Sequence, residues 1–384
     1  MRYPKMPQAK FLGKILKMKL KSISLQHVQL PMNFNFKTAK GQLKLRDTII
    51  IIAEDINGNY GYGECVSFTT PFYTQETFER SWEQLAEFYI PKVLATTFEH
   101  PFEIHSFFET PLPMAMAGLE NALLDLYYKA REENTIASLF PEPLEDNLAR
   151  GAVLGDIPRE ELSEKIEGLL AEGVQRIKLK IKPEDGFERI RFAVSCYPQV
   201  QWAVDANRSY GFNNLNQLKE LDSLGLVCIE EPLSTNNISD YQAIMPELST
   251  PICFDENVQN LDELKQVALL KGHKMLNIKI GRLGGLYQTK EAIDFCRQHD
   301  ISFWIGSMVE SGISKILHAQ LATLSDNVMP GDLSDSAYYF PKDLIIPEIK
   351  FIQGKMKRPR SKGLGVTINH EALEHYTVKK EIFR

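Results

Sequence analysis

No run of about eighteen apolar residues occurs anywhere in the 384-residue chain, so no segment reads as a membrane-spanning helix. The five cysteines, Cys65, Cys196, Cys228, Cys253 and Cys296, form no C-x-x-C pair, which argues against a zinc site or a redox dithiol and suits a reduced, cytoplasmic setting. No basic stripe interrupts a formal charge of −6, so nucleic acid is not an expected partner. Gly281, Gly284 and Gly285 are not followed by a phosphate-binding G-K-[ST] or G-x-G-x-x-G pattern, and they read as loop geometry. The start of the chain lacks the apolar stretch of a signal peptide. Instead, Arg2, Lys5, Lys10, Lys14 and Lys17 make residues 1–17 a basic segment, expected to be a solvated extension.

What is present is an ordinary globular composition. With 43% hydrophobic and 24% charged residues, a sizeable core can be buried. Segments 20–30, 47–53 and 60–64 are strand-like, with the hairpin signal Asn57-Gly58 between the last two. Helical periodicity follows over 75–90, 100–109 and 114–130. After Pro141 and Pro143 the pattern becomes short apolar strands, each followed by an amphipathic helix. Strands are expected at 151–154, 176–181, 201–205, 227–231, 251–255, 275–280, 302–305 and 328–332. The predicted fold is therefore α/β, a (β/α)8 TIM-type barrel with an N-terminal α+β domain. The expected division is 18–140 for that first domain, 141–341 for the barrel, and 342–384 for a C-terminal segment returning to the first domain.

The second to sixth expected barrel strands each end in a charged residue within an apolar run: Lys180, Asp205, Glu230, Asp255 and Lys279. Their successive spacings of 25, 25, 25 and 24 residues suit one strand, one helix and two short loops. Equal spacing predicts equal height, at the strand ends where barrel active sites are built. Two positions earlier, Lys178, Ala203, Cys228, Cys253 and Asn277 face the same interior as a second layer. One acidic strand terminus is more often salt-bridged than metal-binding. Three converging carboxylates repel one another unless a cation lies between them, and hard oxygen ligands favour Mg2+, with Mn2+ as the alternative.

Lys180 and Lys279 would then flank that cation. Removing a proton next to a substrate carboxylate creates a doubly charged ene-diolate, which a bound cation stabilises. A lysine acting as the base needs its pKa lowered from ~10.4 to ~7–8, which is about 3–4 kcal/mol. The charge of Lys178, on the same strand face as Lys180, is the expected cause. A Schiff-base aldolase using either lysine would leave the three carboxylates unexplained. A non-catalytic metal-binding or scaffold protein would have no need of two inward lysines.

These residues resemble the enolase superfamily, muconate-lactonizing-enzyme subgroup. Lys178-Leu179-Lys180, Val204-Asp205-Ala206-Asn207, Ile229-Glu230-Glu231-Pro232, Phe254-Asp255-Glu256-Asn257 and Ile278-Lys279-Ile280-Gly281-Arg282 stand in that family's order and spacing. The resemblance implies metal ligation by Asp205, Glu230 and Asp255 and acid/base roles for Lys180 and Lys279. It also implies a capping domain whose loops near 31–41 and 63–73 close the barrel mouth. Lys178, Asn207, Glu256, Arg282, Ser307, Met308 and Glu310 are the expected substrate or supporting residues.

Within the subgroup, Gly63-Glu64-Cys65, Pro71-Phe72-Tyr73, Arg282 and Gly306-Ser307-Met308-Val309-Glu310-Ser311-Gly312 are most similar to the Gram-positive o-succinylbenzoate synthase and N-succinylamino acid racemase families. The implied activity is dehydration of 2-succinyl-6-hydroxy-2,4-cyclohexadiene-1-carboxylate in menaquinone synthesis, with racemisation as the alternative. The implied partner is a small carboxylate, and a homo-oligomer is expected from relatives. Glu231 and Ser311 depart from the commoner Gln and Thr. The Asp332-Leu333-Ser334-Asp335 sequence lacks the Asp-x-Asp of dipeptide epimerases, the third reading. None of the eight histidines falls at an expected strand terminus, which disfavours a mandelate-racemase-like site.

Overall fold

The computed structural model describes residues 17–38 and 41–384, so the expected extension over 1–17 lies, apart from Lys17, outside the described residues. The chain opens with three antiparallel strands, Leu20–Thr38, Gly41–Asp55 and Tyr60–Cys65. The C-terminal strand Thr377–Phe383 adds to the free edge of the first, giving a four-stranded sheet. The Asn57-Gly58 signal is borne out. Gly58 has φ +81°, and Asp55 Oδ1 accepts the backbone N–H groups of Asn57 and Asn59 at 2.8 and 2.9 Å. The segment expected as a closing loop near 31–41 is instead strand through Thr38. The pairing register slips between Pro31 and Phe36, beside a proline that cannot donate to the ladder.

Helix Pro113–Lys129 lies against this sheet, and two glycines let it do so. A Cβ on Gly61 would meet the carbonyl oxygen of Ala122 at 2.1 Å, and one on Gly63 that of Gly118 at 2.1 Å. The Tyr-Gly-Tyr-Gly alternation is thus a packing device, since the face bearing hydrogen touches helix backbone.

Seven parallel strands form the second sheet in sequential order: Ala152–Leu154, Arg176–Lys180, Gln201–Asp205, Ile229–Glu230, Ile252–Phe254, Lys274–Ile278 and Ser302–Ile305. The eighth expected strand, 328–332, does not form. Its segment nevertheless closes the barrel between the first and seventh strands: Gly151 N–H donates to Gly331 O at 2.7 Å, and Val328 N–H to Phe303 O at 3.1 Å. Pro330 has no N–H to offer there, and Ile305 N–H is taken by Asn327 Oδ1 at 3.1 Å, so a regular ladder cannot propagate.

The strand register also departs from the simple expectation of one level. Lys180 pairs with Asp205 and Asp205 with Glu230, but Glu230 pairs with Cys253, two residues before Asp255. Cys253 in turn pairs with Met275, which places Lys279 two further steps along its strand. This stagger is the shear of a closed barrel, in which tilted strands reach one rim only if the register advances around the ring. Below that rim Ala203, Cys228, Cys253, Met275, Trp304 and Met329 pack as a separate apolar plug. All five cysteines are free thiols, and Trp304 Nε1 donates to Cys253 Sγ at 3.2 Å. Among the described residues no helix is long and apolar enough to cross a membrane.

Candidate active site

The C-terminal end of the third barrel strand turns sharply after Asp205. Asn207 and Arg208 both adopt positive φ, 42° and 63°, and Asn207 N–H returns to Asp205 Oδ1 at 3.0 Å. Asparagine tolerates this left-handed conformation better than most residues. The turn aims the Asn207 amide back across the mouth, where its Oδ1 accepts from Lys180 Nζ at 2.5 Å and its Nδ2 donates to Glu256 Oε1 at 3.3 Å. Lys180 Nζ also stands 3.8 Å from Asp205 Oδ2 and keeps 43% of its side chain exposed, so it faces the open cavity. Glu256 Oε2 is buried with no hydrogen-bond partner among the described residues.

Glu230, 1% exposed, is held from the second layer. Lys178 Nζ lies 2.8 Å from its Oε2, and Asn277 Nδ2 donates to its Oε1 at 3.0 Å. Lys178 also pairs with Asp332 at 2.7 Å and lies 3.6 Å from Asp205. This corrects the expectation that Lys178 acts chiefly by repelling the charge of Lys180. Burial works against its ammonium, but Asp332, Glu230 and Asp205 more than offset it and hold its pKa well above the ordinary lysine value. Its charge is therefore compensated locally. Glu230 is pushed up by burial, with Lys178 opposing and the neighbouring Asp205 and Asp255 adding to the rise.

On the far side Lys279 Nζ donates to Asp255 Oδ2 at 2.6 Å and to the Tyr73 hydroxyl at 3.2 Å. Tyr73 comes from the first domain and donates to Asp255 Oδ1 at 2.9 Å. Arg282, fully buried, also bonds that oxygen and ties itself to the carbonyls of Asn277 and, at 2.9 Å, Val258. Burial works against both charges of the pair. Lys279 and Arg282 nevertheless bring Asp255 down to about 2, and Asp255 raises Lys279 above the ordinary lysine value. Glu231, in the left-handed region at φ 40°, supports the same strand end: its Oε1 accepts the backbone N–H groups of Asp255 and Asn257 at 2.7 and 3.0 Å.

Not every expected residue reaches the mouth. Glu310 is wholly buried and turned into helix Gly312–Leu321, accepting from Met308 N–H at 3.1 Å and Ser314 Oγ at 2.7 Å. Met308 is 6% exposed, and Ser307 Oγ donates to Asp332 O at 2.9 Å, fastening the seventh strand end to the closing segment. Two supporting contacts had no signal in strand spacing. Glu64 accepts from Ser311 Oγ and the Ser311 and Ser314 N–H groups at 2.6, 3.1 and 3.2 Å, pinning the first domain to a barrel helix. His318 Nε2 accepts Ile280 N–H at 2.9 Å, directly after Lys279. The Gly63-Glu64 and Pro71-Phe72-Tyr73 motifs marked Glu64 and Tyr73 without giving their partners, while nothing marked His318.

Among the described residues no three acidic, histidine or cysteine side chains already converge as a metal-ligand cluster. Asp205, Glu230 and Asp255 instead each face a cationic side chain across the same rim. A family model described as enolase C-terminal domain-like matches residues 161–372. The chain belongs to the enolase superfamily. Superfamily sites combine a lysine or histidine base with one or two Mg2+ ions. The o-succinylbenzoate synthase of Bacillus subtilis (strain 168) is 34% identical over 366 residues, covering 95% of this chain and 98% of that protein. An N-succinylamino acid racemase of Thermus thermophilus is 32% identical, covering 94% and 98%. A crystal structure of an enolase-superfamily member from Enterococcus faecalis V583 superposes with a TM-score of 0.90 at 31% identity, covering 96% of this chain and 100% of that one. The fold and superfamily expected from the motifs are borne out.

Proposed function

We propose that this chain is an o-succinylbenzoate synthase, a lyase that dehydrates 2-succinyl-6-hydroxy-2,4-cyclohexadiene-1-carboxylate in menaquinone biosynthesis. The observation that carries the reading is the placement of Lys180 and Lys279 on either side of three carboxylates at one barrel rim. Near-full-length similarity to the Bacillus subtilis synthase supports the choice of substrate.

The donor set fits a divalent cation. Asp205, Glu230 and Asp255 offer hard oxygen ligands, and the buried Oε2 of Glu256, which has no hydrogen-bond partner among the described residues, marks a local excess of acceptors. These three acids would hold the ion, Mg2+ by preference, and it would supply positive charge opposite the oxygens of the developing ene-diolate. Lys180 Nζ takes the proton from the carbon next to the carboxylate, oriented by Asn207 Oδ1. The same ammonium then gives that proton to the departing hydroxide, so that the proton and the hydroxyl group leave from one face as water. Lys279 remains charged beside Asp255 and faces the anionic intermediate from the other side. Tyr73, reaching from the first domain to Asp255, covers that side of the mouth and restricts water.

A second reading, N-succinylamino acid racemase, is favoured by the Thermus thermophilus relative and uses the same two lysines as alternating base and acid. The deciding experiment is turnover of the cyclohexadiene carboxylate by purified protein with Mg2+, beside an EDTA-treated control. Chelator-sensitive formation of o-succinylbenzoate supports the synthase. No turnover with Mg2+, together with racemisation of N-succinylamino acids, replaces it with the racemase.

A further inference from the structure

Helix Gly312–Leu321 carries a lysine that none of the chemistry above uses. Lys315 is 1% exposed, and among the described residues its ammonium makes no hydrogen bond or ion pair; Nζ stands over the ring of Tyr339, 4.5 Å from the centroid. The acids whose field reaches it are Asp343, Glu310, Glu64 and Asp335, and each is engaged elsewhere, Asp335 Oδ1 accepting from Phe351 N–H at 2.8 Å. Glu64 is occupied by Thr48, Ser311 and Ser314, and Glu310 by Met308 and Ser314. Asp343 accepts from the Gly312 and Leu344 N–H groups at 2.8 and 2.6 Å and from the Ser336 hydroxyl. An ammonium buried without a partner is costly, and burial draws the pKa of Lys315 below the ordinary value.

A second buried polar group lies in the same place. Among the described residues Ser334 Oγ has no partner other than the neighbouring hydroxyl of Tyr339. Two short stretches of chain link the cluster to the reaction site. Lys315 lies one helical turn before His318, which holds the backbone next to Lys279. Ser334 lies two residues after Asp332, which pairs with Lys178. The first domain closes over it: Phe34 packs on Tyr339 with ring centroids 6.0 Å apart, and Asn33 Nδ2 donates to Ala337 O at 2.7 Å.

We propose that Lys315, with the hydroxyls of Ser334 and Tyr339, forms an anion subsite that binds the second carboxylate of the substrate, the one remote from the proton being removed. A carboxylate accepts several hydrogen bonds and would partner the ammonium and the two hydroxyls together. The inference rests on the functional reading only for the ligand's identity. The cyclohexadiene substrate and N-succinylamino acids both end in a succinyl carboxylate, so either activity needs such a subsite.

The test is calorimetric binding of o-succinylbenzoate, and of the amide made at its succinyl carboxylate, to the full-length protein with Mg2+. Wild type, Lys315→Met, Lys315→Arg and Ser334→Ala are compared, with turnover measured in parallel. Wild type should prefer the carboxylate by about 30-fold, the range of a hydrogen bond to a charged group. Lys315→Met should bind both compounds alike, with KM rising far more than kcat falls, and Lys315→Arg should recover part of the preference. Ser334→Ala, whose small truncation preserves the fold, should lose a smaller part. A full preference in both Lys315→Met and Ser334→Ala overturns the subsite, as does wild type that binds neither compound or both equally. Wild type that shows the preference but turns nothing over overturns the functional reading and leaves the subsite standing.

Discussion

Lys178 Nζ stands 2.8 Å from Glu230 and 2.7 Å from Asp332, so one buried ammonium ties the fourth barrel strand to the irregular segment that closes the ring. The second-layer lysine is thus a structural counter-ion as well as a neighbour of the candidate base. Removing one partner of a buried ion pair strands the other, which is more damaging than replacing both. Lys178→Met should lower the unfolding free energy of metal-free protein by about 3–5 kcal/mol in urea denaturation. Added Mg2+ should then stabilise the variant more than wild type, because the cation takes up the exposed negative charge. Equal stability of the two metal-free proteins would remove Lys178 from this role.

Lys180 is half-exposed, and among the described residues its Nζ makes polar contacts with Asn207 and Asp205, so its loss should affect chemistry without affecting folding. Lys180→Ala should reduce kcat by about 10²–10⁴-fold, the usual contribution of a positioned acid or base. Its thermal midpoint should match wild type, and it should no longer exchange the substrate's α-proton with deuterated solvent. Retained exchange would transfer the base role to another residue.

His100 offers a pH-dependent test well away from the barrel rim. Its Nδ1 accepts Phe102 N–H at 3.2 Å at the start of the turn Pro101–Phe107, a bond that protonation abolishes. Burial, with Arg131 adding, lowers its pKa from 6.5 to about 4. The folded histidine therefore stays neutral while the unfolded chain binds a proton, so its contribution is intact above pH 6.5 and is lost as pH falls towards 4. Allowing for its partial exposure, the loss is about 1–3 kcal/mol. His100→Asn, which keeps a capping acceptor without a titrating ring, should flatten stability over that window, as measured by urea unfolding at successive pH values.

The glycine packing of the first domain makes a sharp contrast available. Gly63→Ala would drive a methyl group onto the Gly118 carbonyl, whereas Gly155→Ala meets nothing within 4 Å. The first should cost about 3 kcal/mol or more through overpacking of backbone against backbone. The second should stay within about 0.5 kcal/mol. Comparable midpoints for the two variants in denaturant would show that the strand and helix can separate.

Much of the candidate site was legible because strand ends recur at nearly constant spacing in a (β/α) repeat. Lys180, Asp205, Glu230, Asp255 and Lys279 do ring one rim, and Lys178 and Asn277 do lie beneath it, both reaching Glu230. The period-2 alternation of a strand and the length of one repeat are local properties, readable from residue order alone. The same holds for the Asn57-Gly58 turn and for the alternation of strands with amphipathic helices.

Other features depend on which distant atoms meet. The two-residue register steps before Asp255 and Lys279 come from closing tilted strands into a ring, which no single strand encodes. The eighth strand fails because Pro330 and the Asn327 side chain interrupt a ladder whose neighbours lie at opposite ends of the barrel. Glu310 turns away from the cavity because Ser314 and Met308 satisfy it inside the wall, and Tyr73 reaches Asp255 across 182 residues of chain. Residue types and spacing determined the fold class and the five charged strand ends. Tertiary structure decided which of those charges are partnered, which face the cavity, and that among the described residues Lys315 is buried against the Tyr339 ring with no acid paired to it, because pairing depends on proximity that only the closed barrel and its covering domain create.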